Sequence, residues 1–177
     1  MRIVIGLIMA LSAGAASAQA ARLPPPITQA SNGSLQCYSP NAQAKTCRAL
    51  AGYFRRADGT IANPSTVIIT NSPLITMSAV SSITIKDAQV CGPLTAADVA
   101  AATFQVNGQP ASPDQTAKLR AAVTGAMKGI FGKEICTAYV SVGGVITTKG
   151  SVDGVPQPAA DQTVIWVSPS DGYQVAP

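Results

Sequence analysis

Hydrophobic and polar positions alternate with two different periods along the chain, and the change of period separates strands from helices. Period-two runs predict strands, because successive side chains of a strand point to opposite faces, at 46–56, 66–70 and 74–85. The parity of the apolar positions changes at Lys86-Asp87, which predicts a bulge or a tight turn there. We expect residues 61–65 to be irregular, since Asn63-Pro64 is a turn signal.

Two helices are predicted next, and each has a clear start signal. Thr95 precedes Asp98 by three residues, and Ser112 precedes Gln115 in the same way. In both pairs the first residue can cap the helix while the second reaches back to the capping residue's own N–H. These signals, with apolar positions at helical spacing after them, predict helices at about 95–104 and 113–131.

Three further strands are predicted after the second helix, at 135–142, 145–149 and 163–167. Gly143-Gly144 is typical of a hairpin turn between the first two of them. Along 135–142 the face that carries Cys136 is more apolar than the face that carries Tyr139. We therefore expect Cys136 to point toward the core.

The order of these elements is strands, then two helices, then strands, which predicts an α+β domain. We expect a mostly antiparallel sheet of about five or six strands, with both helices packed on one face. Small residues recur every fourth position in the second helix, at Ala121, Gly125 and Gly129. This ridge predicts close packing of that helix against the sheet.

The chain divides into a signal peptide at 1–20, a flexible Pro-rich leader at 21–35 and a single disulfide-stapled domain at 36–177. An apolar run follows Arg2 and is too short to span a bilayer, and small residues then fit a cleavage site. We expect a protein exported to the periplasm or outside the cell, of bacterial type, with no membrane span after cleavage.

Four cysteines in an exported chain predict two disulfides, with three possible connectivities. We prefer a local clip, Cys37–Cys47, and a long staple, Cys91–Cys136. The chain contains no histidine and no C-x-x-C pair, so its cysteines do not form a usual zinc, iron–sulfur or redox motif. We expect no cofactor and no metal.

The absence of histidine also removes Ser-His-Asp and Cys-His catalysis. The formal net charge is +4, with basic residues scattered rather than arranged in a stripe, so we expect no nucleic-acid binding. Most of the acidic residues are explained by helix starts or by turns before glycine. The carboxylates left for catalysis are Asp87, Glu134 and Asp161.

The leading hypothesis is a small, exported, non-catalytic domain that binds an unknown partner, such as an envelope protein or a glycan. One alternative is a carboxylate-dependent glycan-active enzyme, which would require two of the three remaining carboxylates in one concave pocket. Another is an inhibitor or accessory subunit of an envelope protein. A possible binding rim is formed by Trp166, Asp171 and Tyr173, although we favour a structural role, with Trp166 in the core and Tyr173 folded back over the turn.

Replacing Cys136 with alanine should destabilise the protein more than replacing Cys37 with alanine. The longer loop removes more entropy from the unfolded chain, and its closure stabilises by about 3–4 kcal/mol in the chain-entropy model. Denaturant melts of the two variants measure the difference. Equal losses of unfolding free energy would contradict this expectation.

Overall fold

The structure, a computed structural model, describes residues 21–23 and 25–177. The predicted signal peptide at 1–20 lies outside the described residues. Strands and α-helices are numbered in chain order, with the bounds β1 Ala21–Leu23, α1 Ile27–Ser31, β2 Leu35–Tyr38, β3 Thr46–Cys47, β4 Ala49–Ala51, β5 Phe54–Arg55, β6 Ile61–Asn71, β7 Leu74–Lys86, β8 Gln89–Pro93, α2 Ala96–Ala101, β9 Thr103–Val106, β10 Gln109–Pro110, α3 Pro113–Met127, β11 Glu134–Val142, β12 Val145–Val152, β13 Val155–Pro156, β14 Gln162–Val167 and β15 Gln174–Val175. Short 3₁₀ helices lie at Pro158–Ala160 and Pro169–Asp171.

Eight antiparallel strands close into a barrel. Their order is β7, β8, β11, β12, β14, β2, β4 and β6, and β6 hydrogen-bonds back to β7. This closing pair is also a hairpin, whose register runs from Ile61 opposite Ile83 to Asn71 opposite Leu74. Every pairing around the ring is antiparallel, so each strand presents one face to the barrel interior and one to the outside.

The predicted α+β fold, with five or six strands and two helices on one face, is therefore wrong. The chain is mostly β, and the first predicted helix is shorter than expected. It ends at Ala101 rather than at residue 104, because Thr103–Val106 pairs with β7 as strand β9. Phe104 is 4% exposed in that strand. Burying this side chain in the strand stabilises the protein more than extending the helix through residue 104 would.

Both helices start at the expected residues, but the ridge of small residues on α3 does not pack as expected. Thr95 and Ser112 are the N-caps of α2 and α3, and each forms a complete capping box. A methyl group added at Gly125 or Gly129 would meet nothing within 4 Å, so this ridge does not pack on the sheet. The helix instead buries Val123, on another face.

Residues 61–65 form the first part of β6 and are not irregular. Proline has no N–H to donate, which normally excludes it from a central strand. The carbonyl oxygen of Pro64 accepts from the N–H of Gly52 at 2.9 Å. Its nitrogen therefore faces the same edge of β6, where pairing passes from β5 to β4. Because the N–H that Pro64 lacks would fall at this junction, its absence interrupts neither the ladder between β5 and β6 nor the ladder between β4 and β6.

One face of the β6–β7 hairpin supplies two separate cores. Near the open end of the hairpin, Ile61 and Ile83 pack with Val90 inside the barrel. Toward the hairpin turn the same face continues with Met77, which packs against Val99 of α2 and the buried side of α3. The helices thus cover the part of the hairpin that extends beyond the ring of barrel strands.

The turn residues bear out the tight turn expected near Asp87 and the hairpin turn expected at Gly143-Gly144. Asp87 and Ala88 have positive φ values of 46° and 59°, and they join β7 to β8 in a tight two-residue turn. Gly143 and Gly144 join β11 to β12 with φ values of 59° and 82°. A positive φ at both central residues matches the right-handed twist of the flanking strands.

The disulfides have the preferred pairing, and Cys136 is buried as expected, but on the face of β11 that points away from the barrel interior. Cys91 and Cys136 lie directly opposite each other on β8 and β11 and are bonded, as are Cys37 and Cys47. Tyr139, which has the opposite parity on β11, is the residue that packs in the barrel interior. The polar Tyr139 face was misjudged because a barrel interior can hold hydrogen-bonded polar groups.

The segment 21–35, where we expected a flexible leader, contains β1 and α1. β1 pairs with β11 through Leu23 opposite Tyr139, next to the part of that edge paired with β8. Ala30 of α1 is buried and belongs to the barrel cluster. Within residues 21–23 and 25–177, no helix combines the length and apolarity needed to cross a membrane.

Replacing Gly92 with alanine should destabilise the barrel by about 1–3 kcal/mol, the usual range for overpacking. An added Cβ would lie 2.6 Å from the backbone oxygen of Ser82, which cannot move without distorting β7. The matched control is Gly125→Ala in α3, which meets open space and should stabilise by about 0.5–1 kcal/mol. Urea melts measure both changes, and equal effects of the two substitutions would refute the close approach.

Candidate functional site

Three tyrosines meet around one glutamine inside the barrel. The hydroxyl of Tyr38 donates to Oε1 of Gln36 at 2.9 Å, and the hydroxyl of Tyr139 donates to the same oxygen at 3.2 Å. The hydroxyls of Tyr53 and Tyr139 are 3.0 Å apart. Tyr38 and Tyr139 come from strands on different sides of the ring, so these bonds cross the interior.

We call Gln36, Tyr38, Tyr53 and Tyr139 the tyrosine cluster. Strand alternation places its members, since Gln36 and Tyr38 share one face of β2, and Tyr139 faces inward from β11. Gln36 is fully buried, and its Nε2 has no hydrogen-bond partner among the described residues. A buried amide with unpaired N–H groups is rare in proteins and needs an explanation.

Burial keeps this cluster neutral. The pKa of Tyr38 is raised well above 10.0 by loss of solvent, and then by its neighbour Tyr139. The pKa of Tyr53 is raised for the same first reason, with further contributions from Tyr38 and Tyr139. Both side chains therefore remain uncharged phenols, which can donate and accept hydrogen bonds, and neither offers a phenolate nucleophile at neutral pH.

A cavity of about 170 Å³ adjoins the cluster. Tyr38 and Tyr53 form part of its lining, and its apolar side includes Ile83, Val90 and Ile135. None of the residues that line the cavity carries a charge, and the polar lining is completed by Asn63, Ser81, Ser82 and Thr137. The site therefore has the composition of a small-molecule pocket, apolar with a few hydrogen-bonding groups.

A wider groove of about 710 Å³ borders the cavity, and the two share Ser82, Ile83, Gly92 and Pro93 in their linings. An added Cβ at Gly92 would lie 2.6 Å from the backbone oxygen of Ser82, so β7 and β8 approach closely at this border. The groove therefore adjoins the cavity at Gly92 and Pro93.

The three carboxylates that remained as catalytic candidates are not brought together in this groove. Glu134 lines it and forms an ion pair with Lys86. Asp161 is paired with Lys149 at 2.6 Å, and Asp87 lies in the β7–β8 turn. Neither Asp87 nor Asp161 lines the groove.

Asp58 is the other carboxylate of the groove, and it is tied into its own turn. Its side chain accepts hydrogen bonds from the hydroxyl of Thr60 at 2.7 Å and from the N–H of Thr60 at 2.9 Å. These bonds, aided by Arg56, lower the pKa of the Asp58 carboxyl. Asp58 is therefore ionised at neutral pH and poorly suited to act as a general acid.

A group of possible metal ligands also lies at the edge of this groove. Ligand atoms of Cys91, Glu134 and Cys136 lie within 4.8 Å of one another. The two sulfurs are bonded to each other, so neither is the thiolate that a metal would require. This group is therefore explained by the disulfide.

The proposed rim residues occupy different surroundings. Tyr173 packs against the cluster of Cys37, Cys47 and Val167 on the outside of the barrel. Trp166 precedes Val167 on β14 and so faces the other way. The carboxylate of Asp171 accepts from the N–H of Ser168 at 2.7 Å, closing a short 3₁₀ helix.

The residues that line the interior were not predicted from the sequence. The available signal was in the tyrosines, because three of the four in the chain belong to the tyrosine cluster. Along β11 the face of Tyr139 is more polar than the opposite face, which suggested solvent exposure rather than a polar interior. The pairing that brings β2 opposite β11 is non-local, and no local pattern encodes it.

The comparisons with known proteins add no family to this description. No protein-family model, curated protein or solved structure matches the chain. The site therefore has to be interpreted from its own geometry.

The free energy of unfolding should fall as the pH rises above about 10, and less steeply when Tyr38 or Tyr53 is replaced by phenylalanine. Below that pH the tyrosines keep the phenol proton in both the folded and the unfolded protein. Above it the unfolded chain releases the proton while the buried phenol retains it, which costs up to about 1.4 kcal/mol per pH unit for each tyrosine. Denaturant melts between pH 9 and 11.5 measure the slopes, and identical slopes in wild type and variants would contradict this expectation.

Proposed function

We propose that this protein is an exported, non-catalytic binding protein that holds a small uncharged molecule in the barrel cavity. The observation that carries the proposal is the cavity itself, since the interior of an eight-stranded barrel is just wide enough to be filled by side chains or to hold one small ligand. In this barrel about 170 Å³ is not filled, beside a neutral polar cluster.

Export to the periplasm or the extracellular space is part of the same proposal. All four cysteines are in disulfides, and such bonds persist in oxidising compartments. The first twenty residues have the composition of a cleavable signal, with Arg2 ahead of an apolar run. These two observations support export.

A catalytic function has less support. The glycan-active enzyme requires two carboxylates across a cleft, one of them able to hold a proton. Glu134 and Asp161 have separate lysine partners, and Asp58 in the groove is held ionised by Thr60. The binding hypothesis needs no such pair, and the uncharged cavity fits it directly.

Wild-type protein should bind a neutral single-ring compound such as benzene in the cavity. The readout is a titration followed by NMR shifts of the methyl groups of Ile83, Val90 and Ile135, which line the cavity. Ser81→Phe adds a ring to the lining and should abolish the shifts, because it occupies the space.

Ala121→Phe places the same ring on the exposed side of α3 and should leave binding unchanged. Circular dichroism checks that both variants are folded. The proposal is overturned if wild-type protein binds no small ring, or if Ser81→Phe binds as well as Ala121→Phe.

A further inference from the structure

The hydroxyl protons of the tyrosine cluster can be counted. Each tyrosine has one proton to donate, and those of Tyr38 and Tyr139 go to Oε1 of Gln36. The short contact between the hydroxyls of Tyr53 and Tyr139 then needs the proton of Tyr53, because Tyr139 has already donated its own proton. All three protons are used within the cluster.

The cluster is left with two unmet requirements. The oxygen of Tyr53 receives no hydrogen bond, so it can accept one. Nε2 of Gln36 carries two N–H groups and has no acceptor, although Gln36 is fully buried. Of these two residues only Tyr53 lines the cavity, so a ligand in the cavity can meet the requirement of Tyr53.

Turning the Gln36 amide by 180° does not change this conclusion. Nε2 would then donate to the hydroxyl oxygens of Tyr38 and Tyr139, and Oε1 would become the unpaired acceptor. The tyrosine protons would run from Tyr38 to Tyr139 and from Tyr139 to Tyr53 along the same short contacts. Tyr53 would be left with a free donor. Tyr53 is therefore left with a free acceptor in one orientation and a free donor in the other, and a ligand hydroxyl can serve as the partner in both cases.

The cavity also limits the size and polarity of the ligand. Its volume of about 170 Å³ is close to that of an engineered cavity that binds benzene. The apolar lining by Ile83, Val90 and Ile135 suits a ring with an apolar edge. A hexose has hydroxyls all round the ring, and most of them would lose water here without finding a partner.

We propose that the cavity is a site for a neutral, largely apolar ring with one hydroxyl, in which the hydroxyl bonds with Tyr53 and the ring contacts Ile83, Val90 and Ile135. This inference rests on the proposed function and specifies the class of ligand. Phenols and alicyclic alcohols both fit this description. Phenol and cyclohexanol are the probes that distinguish these two classes of ligand.

The test compares benzene, phenol, anisole and cyclohexanol by NMR titration or calorimetry. In a cavity without hydrogen-bonding partners phenol binds more weakly than benzene, because its hydroxyl loses water. We expect the reverse here, with phenol or cyclohexanol about tenfold tighter than benzene, the factor that a net hydrogen bond supplies. Anisole accepts but cannot donate, so it should lose this gain if the Tyr53 oxygen is the free acceptor and keep it if Tyr53 is the free donor.

Tyr53→Phe keeps the ring and removes the hydroxyl, so it should reduce phenol binding to the level of benzene while benzene binding persists. Tyr173→Phe is the matched control, since Tyr173 packs outside the barrel. It should retain the preference for the hydroxylated ring.

The outcomes separate this inference from the proposed function. If no ring binds, both fail. If benzene binds as tightly as phenol and cyclohexanol, the hydroxyl site is refuted while the cavity remains a binding site. A preference for phenol that survives in Tyr53→Phe, or glucose binding more tightly than phenol, also overturns the inference.

Discussion

The ladder of hydrogen bonds between β6 and β7 is the interaction on which the rest of the structure depends. It joins the two ends of the eight-strand series, and without it the barrel would be an open sheet with two unpaired edges. The same hairpin carries Ile83 into the barrel core and Met77 into the core beneath the helices. Because the two strands are neighbours in sequence, this closing contact is also one of the most local pairings of the ring, and local contacts are the least costly to form in chain entropy.

The interior of the barrel matters for the proposed function because it is neutral and incompletely filled. Burial removes the hydroxyls of Tyr38 and Tyr53 from water and raises the pKa of both side chains. In that environment an unpaired amide such as that of Gln36 costs more than it would in solvent. Under the proposed function, these features favour a ligand that forms a hydrogen bond with the cluster.

The sequence predicted what is encoded locally and not what depends on contacts distant in the chain. The capping boxes at Thr95 and Ser112 are present, as is the two-residue turn at Asp87. These features involve residues three or fewer positions apart. The barrel depends instead on pairings such as β14 with β2, and its tyrosine cluster joins Gln36 to Tyr139, about a hundred positions away along the chain. The prediction that residues 61–65 are irregular failed for a related reason, since only the junction between β4 and β5 makes Pro64 acceptable in a strand.

The disulfide between Cys91 and Cys136 defines the limits of a semi-independent unit. The chain leaves the barrel after β8, forms α2, β9, β10 and α3, and returns as β11 next to the strand that it left. The core of the unit, with Val99, Phe104 and Val123, is shared with Met77 of β7, and the covalent link fixes where the unit begins and ends. Leu94 belongs to this unit and also lines the barrel cavity. The covalent bond therefore keeps both ends of the helical unit beside the cavity, so that local opening of α2 and α3 stays tethered to the barrel wall.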